Sequence, residues 1–144
     1  MKNVKFLFLF VLMSCMALMF NACSDDVGSS SDLIGTWEAV SESGWEKQDG
    51  VITNEFYDDL SGSIRITFNK NGTYVLTYLG DGMDDSNEGE WSYSKGILIL
   101  DYDEDDPWPI KELTRSKLVV EGYTSSSSNG VLYESYHLIE YRKI

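Results

Sequence analysis

The sequence predicts an all-β domain whose strands close into an eight-stranded antiparallel up-and-down barrel. Three observations lead there. From Leu33 onward apolar residues alternate over short runs, and no apolar stripe recurs at the roughly 3.6-residue spacing of a helix of useful length. Turn signals separate the runs, so successive strands are joined as hairpins. Nine Tyr and four Trp against two Pro enrich the chain in residues that suit a pleated, half-buried surface. About eight strands close into a barrel just wide enough to be filled by side chains or to hold one small ligand, and closure removes the exposed edges.

The strands follow in order. Gly35 to Ser41 places Trp37 and Ala39 on one face. Gly44 to Glu55 reads as loop, with room for one short extra piece. Ser63 to Asn69 puts Ile64, Ile66 and Phe68 on one face and Arg65 and Thr67 on the other. Asn69-Lys70-Asn71-Gly72 has the residues of a type I turn with Gly in the left-handed position, which leads into Thr73 to Leu79. Gly89 to Tyr93 and Ile97 to Tyr102 flank the turn Ser94-Lys95-Gly96. Ile110 to Leu113 is short and turns at Thr114-Arg115-Ser116. Leu118 to Thr124 has Leu118 and Val120 on one face. A flexible hairpin loop, Ser125 to Gly130, precedes the last and longest strand, Val131 to Arg142.

Ahead of this domain the chain opens on Lys2 and Lys5, then an apolar run from Phe6 to Phe20, then Asn21-Ala22-Cys23. Fifteen apolar residues are fewer than the roughly 20 of a membrane span, and the order is that of a secretory leader, residues 1–22. Ala22-Cys23 resembles the lipobox of bacterial lipoproteins, in its looser Bacteroidetes form. That resemblance implies an acylated Cys23 at the mature N-terminus. Ser24-Asp25-Asp26 resembles the signal that sends such lipoproteins to the outer face of the outer membrane. Residues 23–32 are polar and serine-rich, a tether between lipid and domain. The domain is then 33–144.

The full chain has 24 acidic and 11 basic residues; loss of Lys2 and Lys5 leaves nine basic, a net charge of about −15. Phosphate contacts need clustered Lys and Arg, so nucleic acid is not an expected partner. Anionic membrane surfaces repel the domain too, and the membrane is reached through the N-terminal lipid. Cys15 leaves with the leader and Cys23 carries the lipid. The mature domain has neither a thiol nor a disulfide, and its core alone must hold it.

Leu33-Ile34-Gly35-Thr36-Trp37, Ile66-Thr67-Phe68-Asn69-Lys70-Asn71-Gly72-Thr73-Tyr74, Gly89-Glu90-Trp91-Ser92-Tyr93, Ile97-Leu98-Ile99-Leu100 and Lys117-Leu118-Val119-Val120 follow one another in an order that resembles the lipocalin-like domains of many Bacteroidetes lipoproteins. Gly35-Thr36-Trp37 is similar to the Gly-x-Trp signature of the first lipocalin strand. The resemblance implies that Trp37 plugs the closed end of the barrel and that a late arginine, Arg142, packs across it.

Inward residues of such a barrel, Ile66, Phe68, Tyr74, Leu118 and Tyr133, are the candidates for contact with a small apolar or amphipathic ligand. Trp45 and Trp108 lie in acidic, loop-like surroundings, where they stack on a ligand, anchor a protein partner or fold back over the rim. The alternative function is a protein-interaction module with a filled barrel. Trp91 reads as core. His137, the single histidine, shares parity with Tyr133, Ile139 and Tyr141 and reads as a hydrogen-bonded residue of the inner face. No motif supplies it with a nucleophile, so no enzyme and no cofactor are expected. The acidic runs 81–88 and 101–106 lack the ligand spacing of a calcium loop and read as solvated hairpin loops, not as metal sites.

Overall fold

The structure is a computed structural model that describes residues 28–80, 85–101 and 107–144. Cys23, Ser24, Asp25 and Asp26 lie outside the described residues, as do 81–84 and 102–106 of the acidic runs.

A helical turn, α1 (Ser30–Leu33), leads into β1 (Gly35–Gln48). Then come β2 (Val51–Asp59), β3 (Ile64–Phe68), β4 (Thr73–Tyr78), β5 (Asp85–Ser94), β6 (Ile97–Leu100), β7 (Trp108–Leu113), β8 (Lys117–Ser128) and β9 (Val131–Lys143). All pairings among them are antiparallel. Eight strands close the barrel in the order β1-β3-β4-β5-β6-β7-β8-β9, and β9 returns to β1. β2 is the additional strand.

Alternation decides which faces turn inward. Ile66 and Phe68 of β3, Tyr74 and Leu76 of β4, and Leu98 and Leu100 of β6 are at most 2% exposed. Their odd-register neighbours, such as Arg65, face solvent. Leu118, Val120 and Tyr141 complete the filling from β8 and β9. Each large side chain so buried contributes about 1.5–3 kcal/mol of transfer free energy. The interior is therefore a packed core.

β1 holds the molecule together because it is longer than the barrel needs. Gly35 to Glu38 pairs with β3 on one edge, and Ser41 to Gln48 pairs with β2 on that same edge. Its other edge runs along β9 from Trp37 to Gln48, with an irregularity between Ala39 and Ser41. The upper halves of β8 and β9 continue likewise beyond the barrel. The result is a four-stranded extension, β2-β1-β9-β8, rising from one side of the mouth.

This extension corrects two expectations. Gly44 to Glu55 is not a loop: β1 and β2 form a hairpin around Asp49-Gly50. Ser125 to Ser128 is also strand, because small serines pair with β9 through the backbone up to Ser128↔Val131. Asp49 and Gly50, Lys95 and Gly96, and Asn129 and Gly130 all have positive φ in succession, the geometry of tight type I′ hairpins. Asp85 to Glu88, expected in a solvated loop, pairs with β4. The turn at Asn69 to Gly72 forms as expected, with Gly72 donating to the Asn69 carbonyl at 3.1 Å.

The chain enters at the closed end. Gly28 lies against Leu113, Leu33 is fully buried, and the Trp37 indole N–H donates to the Leu33 carbonyl at 2.7 Å. Lys143 Nζ donates to the Asp32 carbonyl at 2.8 Å and sits 4.9 Å from the Trp37 ring. It is therefore Lys143, not Arg142, that packs across Trp37. Register gives the reason: Lys143 pairs directly with Trp37 and shares its inward face, whereas Arg142 faces out. Arg142 donates instead to the buried Glu38 at 2.8 Å, and Arg65 binds the other oxygen at 3.0 Å. The two guanidinium groups, Arg142 first, hold the Glu38 carboxyl below its usual range.

Candidate functional site

At the mouth, one row crosses all four strands of the extension: Phe56 of β2, Gly44 of β1, His137 of β9 and Gly122 of β8 stand side by side. Rings alternate with glycines. A Cβ on Gly44 would meet the Phe56 ring at 2.8 Å, and one on Gly122 would overlap the His137 imidazole. Each glycine is thus the space into which a neighbouring ring lies, the usual meaning of Gly inside a strand.

Two residues down each strand, on the same face, Val120 and Ile139 form the top of the core. Between these two layers opens a cleft of about 250 Å³, lined by Trp108, Val120, Gly122, Thr124, His137 and Ile139, with Pro107 and the edges of Glu121 and Tyr123. It lies just below the roughly 300–1,000 Å³ of ordinary ligand pockets, room for one small ring system. Trp108 supplies an aromatic wall, held because it packs against the core from the start of β7. The polar side is His137, whose Nδ1 lies 3.1 Å from Glu42 Oε1.

The residues expected at a ligand divide sharply. Ile66, Phe68, Tyr74 and Leu118 point inward but are 0–1% exposed, packed on one another. Trp108 lines the cleft. Tyr133 has the inward parity of Tyr141, yet it sits beyond the rim on the extension and is 44% exposed, so it is not in the interior. Trp45 lies on the opposite, outer face of the extension, stacked on Tyr136 at 5.7 Å with Lys47 Nζ 3.9 Å from its ring. There the Tyr136 hydroxyl donates to Glu121 at 2.8 Å and accepts from Lys111 at 3.1 Å. That hydrogen bond to Tyr136 raises the Lys111 pKa, and the bond to Glu134 raises that of the Tyr123 phenol. Trp91 is half-buried, edge-on to Phe68 at 5.4 Å.

Glu42, Gly44 and Gly122 were not singled out by sequence. Glycines inside alternating runs were the available signal. Among the described residues no three His, Cys, Asp or Glu side chains converge as a metal site.

A closed antiparallel barrel of eight strands, with a helical turn at one end, is the architecture of the up-and-down barrels, a class that includes ligand binders. The chain belongs to the family of lipocalin-like domains, which matches residues 33–120. The family is generally one of non-enzymatic binding proteins. The match ends at Val120, within β8, so Gly122, Thr124, His137 and Ile139 of the cleft lie beyond it. A comparison with curated proteins found no match.

Proposed function

We propose that the protein is a lipid-anchored binding module that takes a small apolar or amphipathic ligand in the cleft at the barrel mouth. One observation carries the reading: the interior is filled by Ile66, Phe68, Tyr74 and Leu118, while an aromatic-walled cleft stays open above them. A packed interior has no vacant volume for a guest, so the ligand belongs at the rim.

The entry of residue 28 at the closed end sets which way an anchored domain would face. Gly28 lies at the closed end, against Leu113. Residues 23–27 span at most about 17 Å of extended chain. An acylated Cys23 in the outer leaflet therefore turns the mouth and the extension away from the membrane. Replacing Cys23 with Ala in the full chain is expected to move the protein from the membrane fraction to the soluble fraction. Retention in the membrane fraction would end the anchoring proposal.

Binding is tested on residues 24–144 by titration with an apolar fluorescent dye and neutral ring compounds as competitors. Saturable one-site binding is expected. Trp108→Ala should weaken it about tenfold, since a stacked aromatic wall is worth about 0.5–1.5 kcal/mol beyond its area. Absence of any binding would transfer the working surface to the extension. There β2 has a free edge and exposes Val51, Ile52 and Tyr57, a surface for a protein partner.

A further inference from the structure

We infer that the cleft selects ligands that donate a hydrogen bond: a neutral ring compound carrying a hydroxyl group, received by Nε2 of His137. The inference rests on the mouth cleft being the binding site.

The chemistry follows from Glu42. A carboxylate only accepts, so its contact with Nδ1 at 3.1 Å places the imidazole hydrogen on Nδ1. In the neutral ring Nε2 is then a bare acceptor. The Nε2–Cδ2 edge lies over Gly122, on the floor of the cleft, in the space a side chain at 122 would fill. Trp108, Val120 and Ile139 line the same cleft, and their side chains offer no acceptor. The cleft therefore sets the His137 acceptor beside the apolar walls of Trp108, Val120 and Ile139, with Glu121, Tyr123 and Thr124 at its border, in a volume sized for one or two fused rings.

Charge argues against an anionic head group. Glu42, Glu46 and Asp58 hold register positions on the same face as His137. A ligand carboxylate would meet the Glu121 carboxylate at the cleft and the Glu42 carboxylate behind the imidazole, whereas a neutral hydroxyl meets no such barrier. Thr124, also at the cleft, has a hydroxyl that can donate to the ligand's oxygen. Glu42 acts here as a positioning residue: it touches His137 and fixes its tautomer.

The test is calorimetry on residues 24–144 in mildly alkaline buffer with 2-naphthol, its methyl ether and 2-naphthoate. These share the ring system and differ in donor and charge. The naphthol is expected to bind about tenfold more tightly than the ether, the worth of one hydrogen bond, and naphthoate least tightly. His137→Phe should bring the naphthol down to the affinity of the ether. Glu42→Gln should narrow the preference, because an amide can present either a donor or an acceptor to Nδ1. The ¹⁵N shifts of the imidazole should report a bare Nε2 in the native chain and mixed tautomers in Glu42→Gln. Equal binding of naphthol and ether, or a preference unmoved by His137→Phe, overturns the inference and leaves the cleft as a binding site. Failure of all three compounds to bind overturns the site itself.

Discussion

Trp37→Ala should lower the free energy of unfolding by about 3–5 kcal/mol, the range for emptying a large aromatic site in a packed core. Three separate contacts are lost at once. The indole is fully buried, its N–H satisfies the Leu33 carbonyl, and its face carries the Lys143 ammonium. Removal leaves a cavity at the closed end and an unpaired carbonyl in α1. A domain of this size is stable by about 5–15 kcal/mol in total, so this one change removes a large share. Residues 24–144 contain no cysteine, so no disulfide limits the loss there. Trp37→Phe keeps most of the volume and loses the N–H, and should cost about 1–3 kcal/mol. The check is the urea midpoint of residues 24–144 for both variants. A midpoint for Trp37→Ala within error of Trp37→Phe would show that the end of the barrel is closed by something other than the indole.

The same residue shows how far the sequence alone reached. Trp37 was legible because a Gly-x-Trp at the head of an alternating run fits a first strand and a plugging ring. The lipocalin resemblance implies Arg142 as its covering cation, one residue from Lys143. A strand's side chains change face at each step, so an error of one in register reverses the side a residue occupies. The pair Glu38 and Arg142 gave no local signal, because 104 residues separate its members. The barrel strands were recoverable from period-two alternation; the extension was not. Its two faces are both partly wet, so β2 and the upper half of β8 carry acids and serines where alternation would need apolar residues. Asp49-Gly50 was the readable clue, a two-residue hairpin signal between Gln48 and Val51. His137 was placed on the inner face correctly by parity. Its partner Glu42 depends on the β1–β9 register, which only tertiary pairing sets.

Gly44→Ala is expected to disrupt the extension while sparing the barrel. A methyl group there would collide with the carbonyl oxygen of Tyr136 and approach the Phe56 ring at 2.8 Å and the His137 Cα at 3.0 Å. Two of these neighbours are β9 backbone and cannot swing aside as a side chain does. Overpacking of this kind costs about 1–3 kcal/mol. The strain falls where β1 pairs with both β2 and β9, not among Ile66, Phe68 and Tyr74. Amide exchange should therefore quicken in β2 and the upper half of β9, while β3 and β4 keep their protection. Gly122→Ala makes the contrast, because the nearest atoms its methyl group would meet all belong to the His137 ring. That ring can rotate, so stability should change less, but the imidazole would leave the floor of the cleft and ligand affinity should fall. A uniform rise in exchange across β3 and β4 in Gly44→Ala would mean that extension and barrel unfold as one unit. Loss confined to the extension would mean that the mouth of this barrel rests on a separately adjustable sheet, with one glycine setting its stability and the other its access.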